Sequence, residues 1–165
     1  MEPEDIFKKR NFSKVDFEYE ELIGRNFSNT NLKNVDLKNR DIHNANFSGA
    51  DLSGSNLSDT ILFNVKLRGA NLQNVNLSNA KLWDTDMYGV DLTNANISGA
   101  DLFYADLRNA DLANTNLSNV NLRHTNFDGA TFTSIDFTNA NYDVKTLDTI
   151  SKDIRSILKM QGNLW

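Results

Sequence analysis

The sequence predicts an all-β solenoid, a chain wound into stacked coils of short extended segments. Between residues 25 and 144 an apolar residue recurs every five positions, from Phe27 to Tyr142, without an insertion or deletion. The residue two before each apolar centre is small or apolar, except at Arg25 and Arg40. Strands alternate with period two and α-helices turn about 100° per residue, so neither regular element fits this spacing. A short extended piece followed by a corner, repeated many times, does fit it.

Two further positions of each pentad predict the corners. The residue before the centre is Asn or Asp in 20 of 24 pentads, and these side chains hydrogen-bond nearby backbone and favour turns. The residue two after the centre is often Gly or Asn, which tolerate positive φ. The exceptions to the Asn/Asp rule are Ile61, Lys66, Lys81 and Thr131.

The repeat resembles that of the pentapeptide-repeat proteins, whose pattern is Ala-(Asp/Asn)-Leu-x-x. The run Ala50-Asp51-Leu52-Ser53-Gly54 matches it residue for residue, as do residues 100–102, 105–107 and 110–112. The resemblance covers about 120 of the 165 residues. It implies a right-handed quadrilateral parallel β-helix with four pentapeptides per coil, and therefore six coils, or seven with the N-terminal extension.

The chain divides into three segments. Residues 1–24 keep the phase of the repeat at Phe7, Phe12, Phe17 and Leu22, but put Arg10 and Glu20 at inward positions. We interpret them as an N-terminal cap and a distorted first coil, because an open solenoid end exposes core and strand edges. Residues 25–143 form the repeat itself. Within it, Arg40 places a charge inward, so we expect its side chain to reach out to solvent near the end of the rod.

Residues 144–165 are predicted to form an amphipathic helix and a short tail. Thr146 is the expected N-cap and Gly162 the expected end of the helix. We expect the apolar side to cap the last coil; dimerisation through it is the alternative, since C-terminal elements mediate dimerisation in the topoisomerase-protecting branch that the chain resembles. That side carries Leu147, Ile150, Ile154, Ile157 and Leu158.

Composition excludes several classes of function. The chain contains no Cys and therefore no disulfide or thiolate metal site. The net charge of −5 argues against direct nucleic-acid binding. No apolar run resembles a signal peptide or a membrane span, so the cytoplasm is the expected compartment. The abundance of the family in bacteria, especially cyanobacteria, suggests a bacterial origin.

No catalytic, cofactor-binding or metal-binding residue is predicted, and the chain is not expected to be an enzyme. The Asp residues at positions 51, 91, 101, 106 and 111 occupy turn positions and are interpreted as structural. His43 and His124 lie four coils apart on one face, about 19 Å, which is too far to share a metal ion. The Ser residues cannot be assembled with His and Asp into a catalytic triad.

One face carries an aromatic column. With four pentads per coil, residues twenty apart stack above one another, which aligns His43, Phe63, Trp83, Phe103 and Arg123, with Tyr104 and His124 beside them. Two interpretations remain open and are compatible: the rings stabilise neighbouring coils, or they form a surface for a partner protein or for self-association.

The predicted function is a non-enzymatic structural or protein-interaction module, with an unidentified protein partner or a homodimer formed through the aromatic face or the C-terminal helix. The alternative is a DNA mimic that binds a type II topoisomerase, gyrase, as the topoisomerase-protecting members of the family do. The four faces carry only about +1, −2, −2 and −1 charges, whereas duplex DNA has one charge per about 1.7 Å. Mimicry therefore ranks second.

Overall fold

The protein is a parallel β-solenoid whose coils are twenty residues long. A computed structural model describes Asn11, residues 22–150 and residues 154–155. In it, isolated parallel β-bridges join each bridge residue to the one twenty positions later, as in Asn26 to Asn46 and Asp51 to Asn71. Four pentads thus make one coil, as predicted, and residues 22–141 make six coils. The bridge between Asn11 and Asn31 extends the same register one coil towards the N-terminus.

Each pentad contributes one bridge residue and one corner. The centre N–H donates to the next coil, as Phe27 N does to the Asn46 carbonyl at 2.7 Å, and corners close with bonds such as Ala50 N to the Phe47 carbonyl at 2.9 Å. The residue two after the centre has a positive φ in all pentads from Gly24 to Asn139, which confirms the corner assigned to it. The Asn or Asp before the centre accepts the N–H two residues later, as Asp51 Oδ1 does from Ser53 N at 3.1 Å.

The core is a single column inside the coils. The apolar centres from Leu22 to Leu122 are at most 2 % exposed. Small residues two before the centre are also buried, and hydroxyls among them bond to carbonyl groups, as Thr85 Oγ1 does to the Leu82 carbonyl at 2.7 Å. Arg40 is half-buried and Arg25 exposed. A column this narrow is stabilised coil by coil, because each coil contacts only its neighbours.

The C-terminal helix differs from its prediction in two respects. Helix α1 spans Val144–Thr149, and its N-cap is Asp143, not Thr146. Asp143 is extended, with φ −121°, and its Oδ1 accepts from Thr146 N at 2.9 Å, whereas Thr146 lies inside the helix and is completely buried. The prediction was wrong because both residues are good N-caps, and only the contact with the last coil selects between them.

Helix α1 is also shorter than the predicted helix. It ends at Thr149, since the C-cap residue Ile150 has extended backbone with φ −86° and ψ 137°, and residues 154–155 are again helical. Ile150 and Ile154 are both buried in the core cluster, and Leu147 packs against it. The predictions for residues 1–10, for Phe12, Phe17 and Glu20, and for Ile157, Leu158 and Gly162 fall outside the described residues. Among those described, no helix has the length and apolarity needed to cross a membrane.

Candidate protein-interaction face

The predicted aromatic face lies on one side of the solenoid. His43, Phe63, Trp83, Phe103 and Arg123 occupy the first turn position of successive coils, as the twenty-residue register requires. Trp83 is 45 % exposed and the neighbouring Tyr104 is 53 % exposed, which makes them two of the few exposed large apolar side chains among the described residues. Phe63, Phe103 and His43 are half-buried, and Arg123 is exposed at the end of the column.

The rings form two clusters instead of one continuous stack. His43 stacks on Phe63, with centroids 4.6 Å apart and planes 14° apart. In the other cluster, Tyr104 lies 4.6 Å from Phe103 in an edge-to-face arrangement and 4.6 Å from His124 in a stacked one. Trp83 lies between the clusters, and within the described part of the chain its ring contacts no other ring. Stacking between coils therefore accounts for the other rings but not for Trp83.

An open recess of about 420 Å³ lies beside the Trp83 ring. Asn44, Phe63, Asn64, Trp83 and Asp84 line it, so its walls come from three successive coils. Two aromatic rings and three polar side chains surround one concavity, a composition typical of binding sites, in which an apolar lining is combined with a few polar groups.

The repeat is interrupted at the two pentads that carry this recess. Ile61 and Lys81 are two of the four residues that replace the usual Asn or Asp. Phe103 N donates to Asp101 Oδ1 at 3.1 Å and His43 N to Asp41 Oδ1 at 3.3 Å. Phe63 N and Trp83 N have no such acceptor among residues 22–150. Two main-chain donors are therefore unpaired on this face.

The polar wall is a ladder of residues with positive φ. Asn64 Nδ2 donates to Asn44 Oδ1 at 2.6 Å, and the side-chain oxygen of Asn64 accepts no hydrogen bond within the described residues. Asp84, φ 53°, is next in the ladder, and its carboxylate has no hydrogen-bond donor or ion-pair partner in the described part of the chain. Asp59 occupies the same pentad position on another face, and its carboxylate accepts from Asn79 Nδ2 at 3.2 Å.

The two histidines lie beside different carboxylates. His43 Nδ1 lies 2.7 Å from Asp41 Oδ1, and His124 Nδ1 lies 2.8 Å from Asp143 Oδ2. Burial raises the pKa of Asp143, but hydrogen bonds from Thr146 and His124 outweigh this effect. The pKa therefore lies below its ordinary value. Among the described residues, no group of three or more His, Cys, Asp or Glu side chains is placed to hold a metal ion.

A second aromatic site lies on the neighbouring face and was not predicted. The Arg68 guanidinium lies 4.5 Å from the centroid of the Tyr88 ring, and that of Arg108 lies 5.7 Å from it. Arg68 pairs with Asp86 at 3.2 Å and Arg108 with Asp106 at 2.7 Å. Hydrogen bonds from Arg108 hold the pKa of Asp106 below its ordinary value despite partial burial. The sequence could have predicted this site, because Arg68, Tyr88 and Arg108 are spaced by twenty residues and therefore stack in successive coils.

The predicted capping residues lie against the last coil. Ile150 and Ile154 are 3 % and 7 % exposed and belong to the core of this chain. The Thr146 hydroxyl donates to the Leu122 carbonyl at 2.6 Å, and Phe127 N donates to the Thr149 hydroxyl at 3.0 Å. The helix thus provides hydrogen-bond partners that a further coil would otherwise provide.

Together these features define a parallel β-solenoid with four pentads per coil, a class of repeat protein. The family model for pentapeptide repeats matches eight copies, in residues 21–59, 31–69, 41–79, 70–103 and 105–141. The chain therefore belongs to the pentapeptide repeat family.

Several solved structures are similar to this chain. A pentapeptide repeat protein, Rfr23, of the cyanobacterium Cyanothece 51142 is 38% identical, with a TM-score of 0.44, over 62% of this chain and 64% of that one. This chain thus spans less than two thirds of the Cyanothece protein. A pentapeptide repeat protein of the Arabidopsis thaliana thylakoid lumen is 28% identical over 74% of this chain and 76% of that one, with a TM-score of 0.48. QnrB1, a plasmid-mediated fluoroquinolone resistance protein, is 15% identical over 93% and 84% of the two chains, with a TM-score of 0.37. No curated protein matches the chain.

Proposed function

We propose that this chain is a non-enzymatic interaction module of the cytoplasm, a right-handed solenoid that binds a protein partner through the aromatic face. The observation that carries the proposal is Trp83, a large side chain that is 45 % exposed and has no ring neighbour within the described residues. Exposed aromatic side chains beside a polar surround are typical of protein interfaces. Parallel extended segments joined by crossovers are right-handed in about 98% of cases, which supports the assigned hand.

Substitution of Trp83 tests the role of this face. Trp83→Ser should reduce capture of a binding partner by about tenfold or more, because Trp side chains at interface centres commonly contribute at least about 2 kcal/mol. The measurement is affinity capture with the immobilised full chain, followed by titration of the purified partner. The combined Phe63→Ser, Trp83→Ser and Phe103→Ser variant should abolish binding.

Tyr88→Ser is the matched control. Tyr88 occupies the same position as Trp83 in the next pentad, and therefore lies on the neighbouring face of the same coil. It should leave partner binding unchanged. Circular dichroism should show that each variant keeps the wild-type spectrum. Partner binding and oligomeric state that are both unchanged in the combined variant would contradict the proposal.

Self-association through the aromatic face is one form of this function. Light scattering across a concentration series would detect a dimer, and the combined variant would then be monomeric. A dimer through the apolar side of the C-terminal helix is less favoured, because Ile150 and Ile154 are buried against this chain's own core.

DNA mimicry remains the second candidate, and the ion pairs argue against it. Asp51, Asp86 and Asp106 are paired with Lys33 at 3.1 Å, Arg68 at 3.2 Å and Arg108 at 2.7 Å, respectively. Cations of the same chain therefore offset the negative charge that a mimic must display. We expect micromolar protein to leave gyrase supercoiling unchanged, and inhibition in that assay would reverse the order of the two candidates.

A further inference from the structure

We propose that the recess beside Trp83 receives an arginine side chain from a basic segment of the partner protein. The inference rests on the proposed function and adds to it the chemistry of the partner. The recess of about 420 Å³ is near the lower end of the usual range for ligand pockets, about 300–1,000 Å³. It therefore suits one long side chain with its flanking backbone.

The aromatic lining favours a planar cation. Cations bind over aromatic faces, best over Trp, and the Arg guanidinium can also stack on a ring. Trp83 is 45 % exposed, and no ring of the described chain covers it. The Phe63 ring, by contrast, is stacked against His43 at 4.6 Å. Trp83 thus offers an uncovered indole surface at the edge of the recess.

On the neighbouring face, an aromatic ring and a carboxylate of this chain both contact an arginine of the same chain. There the Arg68 guanidinium lies 4.5 Å from the centre of the Tyr88 ring and pairs with the Asp86 carboxylate at 3.2 Å. In the recess, Trp83 provides the ring and Asp84 the carboxylate, while the residues twenty before and after Trp83 are Phe63 and Phe103 instead of Arg. The guanidinium that this arrangement lacks is what the partner would supply.

Two of the three polar side chains that line the recess, Asp84 and Asn64, present acceptors. The Asp84 carboxylate has no donor in the described part of the chain, and the Asn64 amide gives its donor to Asn44 at 2.6 Å, leaving its oxygen available. Arginine has five N–H donors in a rigid fork and no acceptor, whereas lysine concentrates its charge at one atom. The four coils around the recess carry three carboxylates on this face, Asp41, Asp84 and Asp101, against two cationic side chains, Arg40 and Lys81, so the face is weakly acidic.

Two main-chain donors point to a peptide instead of free arginine. Phe63 N and Trp83 N have no acceptor among residues 22–150, because Ile61 and Lys81 replace the usual Asn or Asp. In pentads that have Asn or Asp before the centre, that side chain accepts this N–H, as Asp101 does from Phe103 at 3.1 Å. Backbone carbonyls on either side of a bound arginine can take the same place.

The test uses a short probe and the intrinsic fluorescence of Trp83. The chain has two Trp residues, so the full-length Trp165→Phe variant leaves Trp83 as the only tryptophan, which excitation at the red edge of the absorption band selects over the tyrosines. The probe is acetyl-Gly-Arg-Gly-amide, and the comparison peptides replace arginine by citrulline, which is neutral and of similar shape, or by lysine. Chemical shifts of the Trp83 indole N–H in the unaltered chain provide a second measurement.

The arginine peptide should bind saturably with a dissociation constant of about 1 mM, as expected for a single anchoring side chain. The citrulline peptide should bind about tenfold more weakly, because the cation–π and charge-assisted contacts are lost. Lysine should lie between them. The inference would be overturned if the arginine and citrulline peptides bound with equal affinity. It would also be overturned if the arginine peptide showed no binding at a concentration about tenfold above the expected dissociation constant.

Asp84→Asn and Asp59→Asn form a matched pair, since both aspartates have a positive φ, 53° and 59°, at the same pentad position. Asp84→Asn should weaken the arginine peptide about tenfold, and Asp59→Asn should have no effect. If Asp84→Asn leaves the affinity unchanged, the arginine assignment is wrong.

The two proposals can fail separately. If Trp83→Ser loses partner capture, but Asp84→Asn has no effect and the peptides do not bind, the interaction face is kept and arginine is rejected. Peptide binding combined with capture independent of Trp83 would reject the interaction face instead.

Discussion

Asn79 and Gly99 show how the corners constrain single residues. Both lie at the corner position where every described pentad has a positive φ, with values of 58° and 69°. A Cβ added at Gly99 would lie 2.5 Å from Asn79 Oδ1, whereas one added at Gly89 would meet no atom within 4 Å. Asn79 in turn donates to Asp59 at 3.2 Å. The choice between Asn and Gly in this ladder therefore depends on the side chain one coil below.

The first prediction compares Gly99→Ala with Gly89→Ala. Both should cost about 1–2 kcal/mol in the free energy of unfolding, because alanine is disfavoured at positive φ. Gly99→Ala should cost about 1 kcal/mol more, since displacing Asn79 breaks its bond to Asp59. Urea denaturation followed by circular dichroism provides the measurement.

In the Asn79→Gly background, Gly99→Ala should cost no more than Gly89→Ala does in the unaltered chain, because glycine at position 79 tolerates the corner, vacates the space and leaves no bond to Asp59 to break. Equal effects of the two alanine substitutions would show that the Asn79 side chain relaxes freely.

At the scale of one element, helix α1 closes the end of the solenoid with side-chain hydroxyls. Regular coils satisfy each centre N–H with a carbonyl of the next coil, as Leu122 N does with Asn141 at 2.7 Å. Phe127 N instead donates to Thr149 Oγ1 at 3.0 Å, and the Leu122 carbonyl accepts from Thr146 Oγ1 at 2.6 Å. Buried backbone groups need such partners, so the helix stabilises the last coil by hydrogen bonds as well as by apolar contacts.

Removal of one hydroxyl should therefore destabilise the chain. Thr149→Val should cost about 1–3 kcal/mol, because the N–H of the buried Phe127 loses its acceptor. Thr149→Ser should restore most of the loss, since it keeps the hydroxyl. Thr133→Val is the control at an exposed position, where a change within about 0.5 kcal/mol is expected. Thermal unfolding of the three variants would show whether the loss is specific to the cap.

At the scale of the whole molecule, carboxylates with lowered pKa values make stability depend on pH. The hydroxyl and backbone N–H of Thr138 hold the pKa of Asp136 below its ordinary value. Burial raises the pKa of Asp91, but hydrogen bonds from Thr93 and Gln73 outweigh it. These groups are charged in the folded chain at a pH where the unfolded chain is already protonated. Their contribution is therefore complete above the ordinary carboxyl pKa and is lost as the pH falls through the lowered values.

We expect the free energy of unfolding to be level near neutral pH and to fall below about pH 5. The double variant Asp91→Asn and Asp136→Asn should show a shallower fall, because asparagine keeps the turn-capping oxygen but does not titrate. Denaturation midpoints between pH 7 and pH 3 provide the measurement. If the free energy of unfolding of the double variant falls as steeply at low pH as that of the unaltered chain, other titratable groups cause most of the pH dependence.

Much of the architecture was predictable, because the five-residue period determines which residues face inward and the resemblance to the pentapeptide-repeat proteins implied four pentads per coil. A shift by one residue would expose Leu52 and bury Asp51, for example, so the register of coils follows from the pattern of apolar residues. The position of the aromatic face followed from the same spacing. Its division into two clusters did not, because ring contacts such as that of Tyr104 with His124 depend on side-chain conformation. The N-cap at Asp143 also depends on a contact between distant parts of the chain.

The twenty-residue register has a consequence for changes in chain length. Deletion of a complete coil shifts later residues along the axis by about 4.8 Å and keeps each on its own face. Deletion of a single pentad, such as residues 71–75, keeps the apolar pattern equally well but rotates everything after it by one quarter turn. Trp83 would then leave the column of Phe63 while the core remained intact. Length changes in this chain therefore fall into two kinds: multiples of twenty, which preserve its surfaces, and other multiples of five, which preserve only its interior.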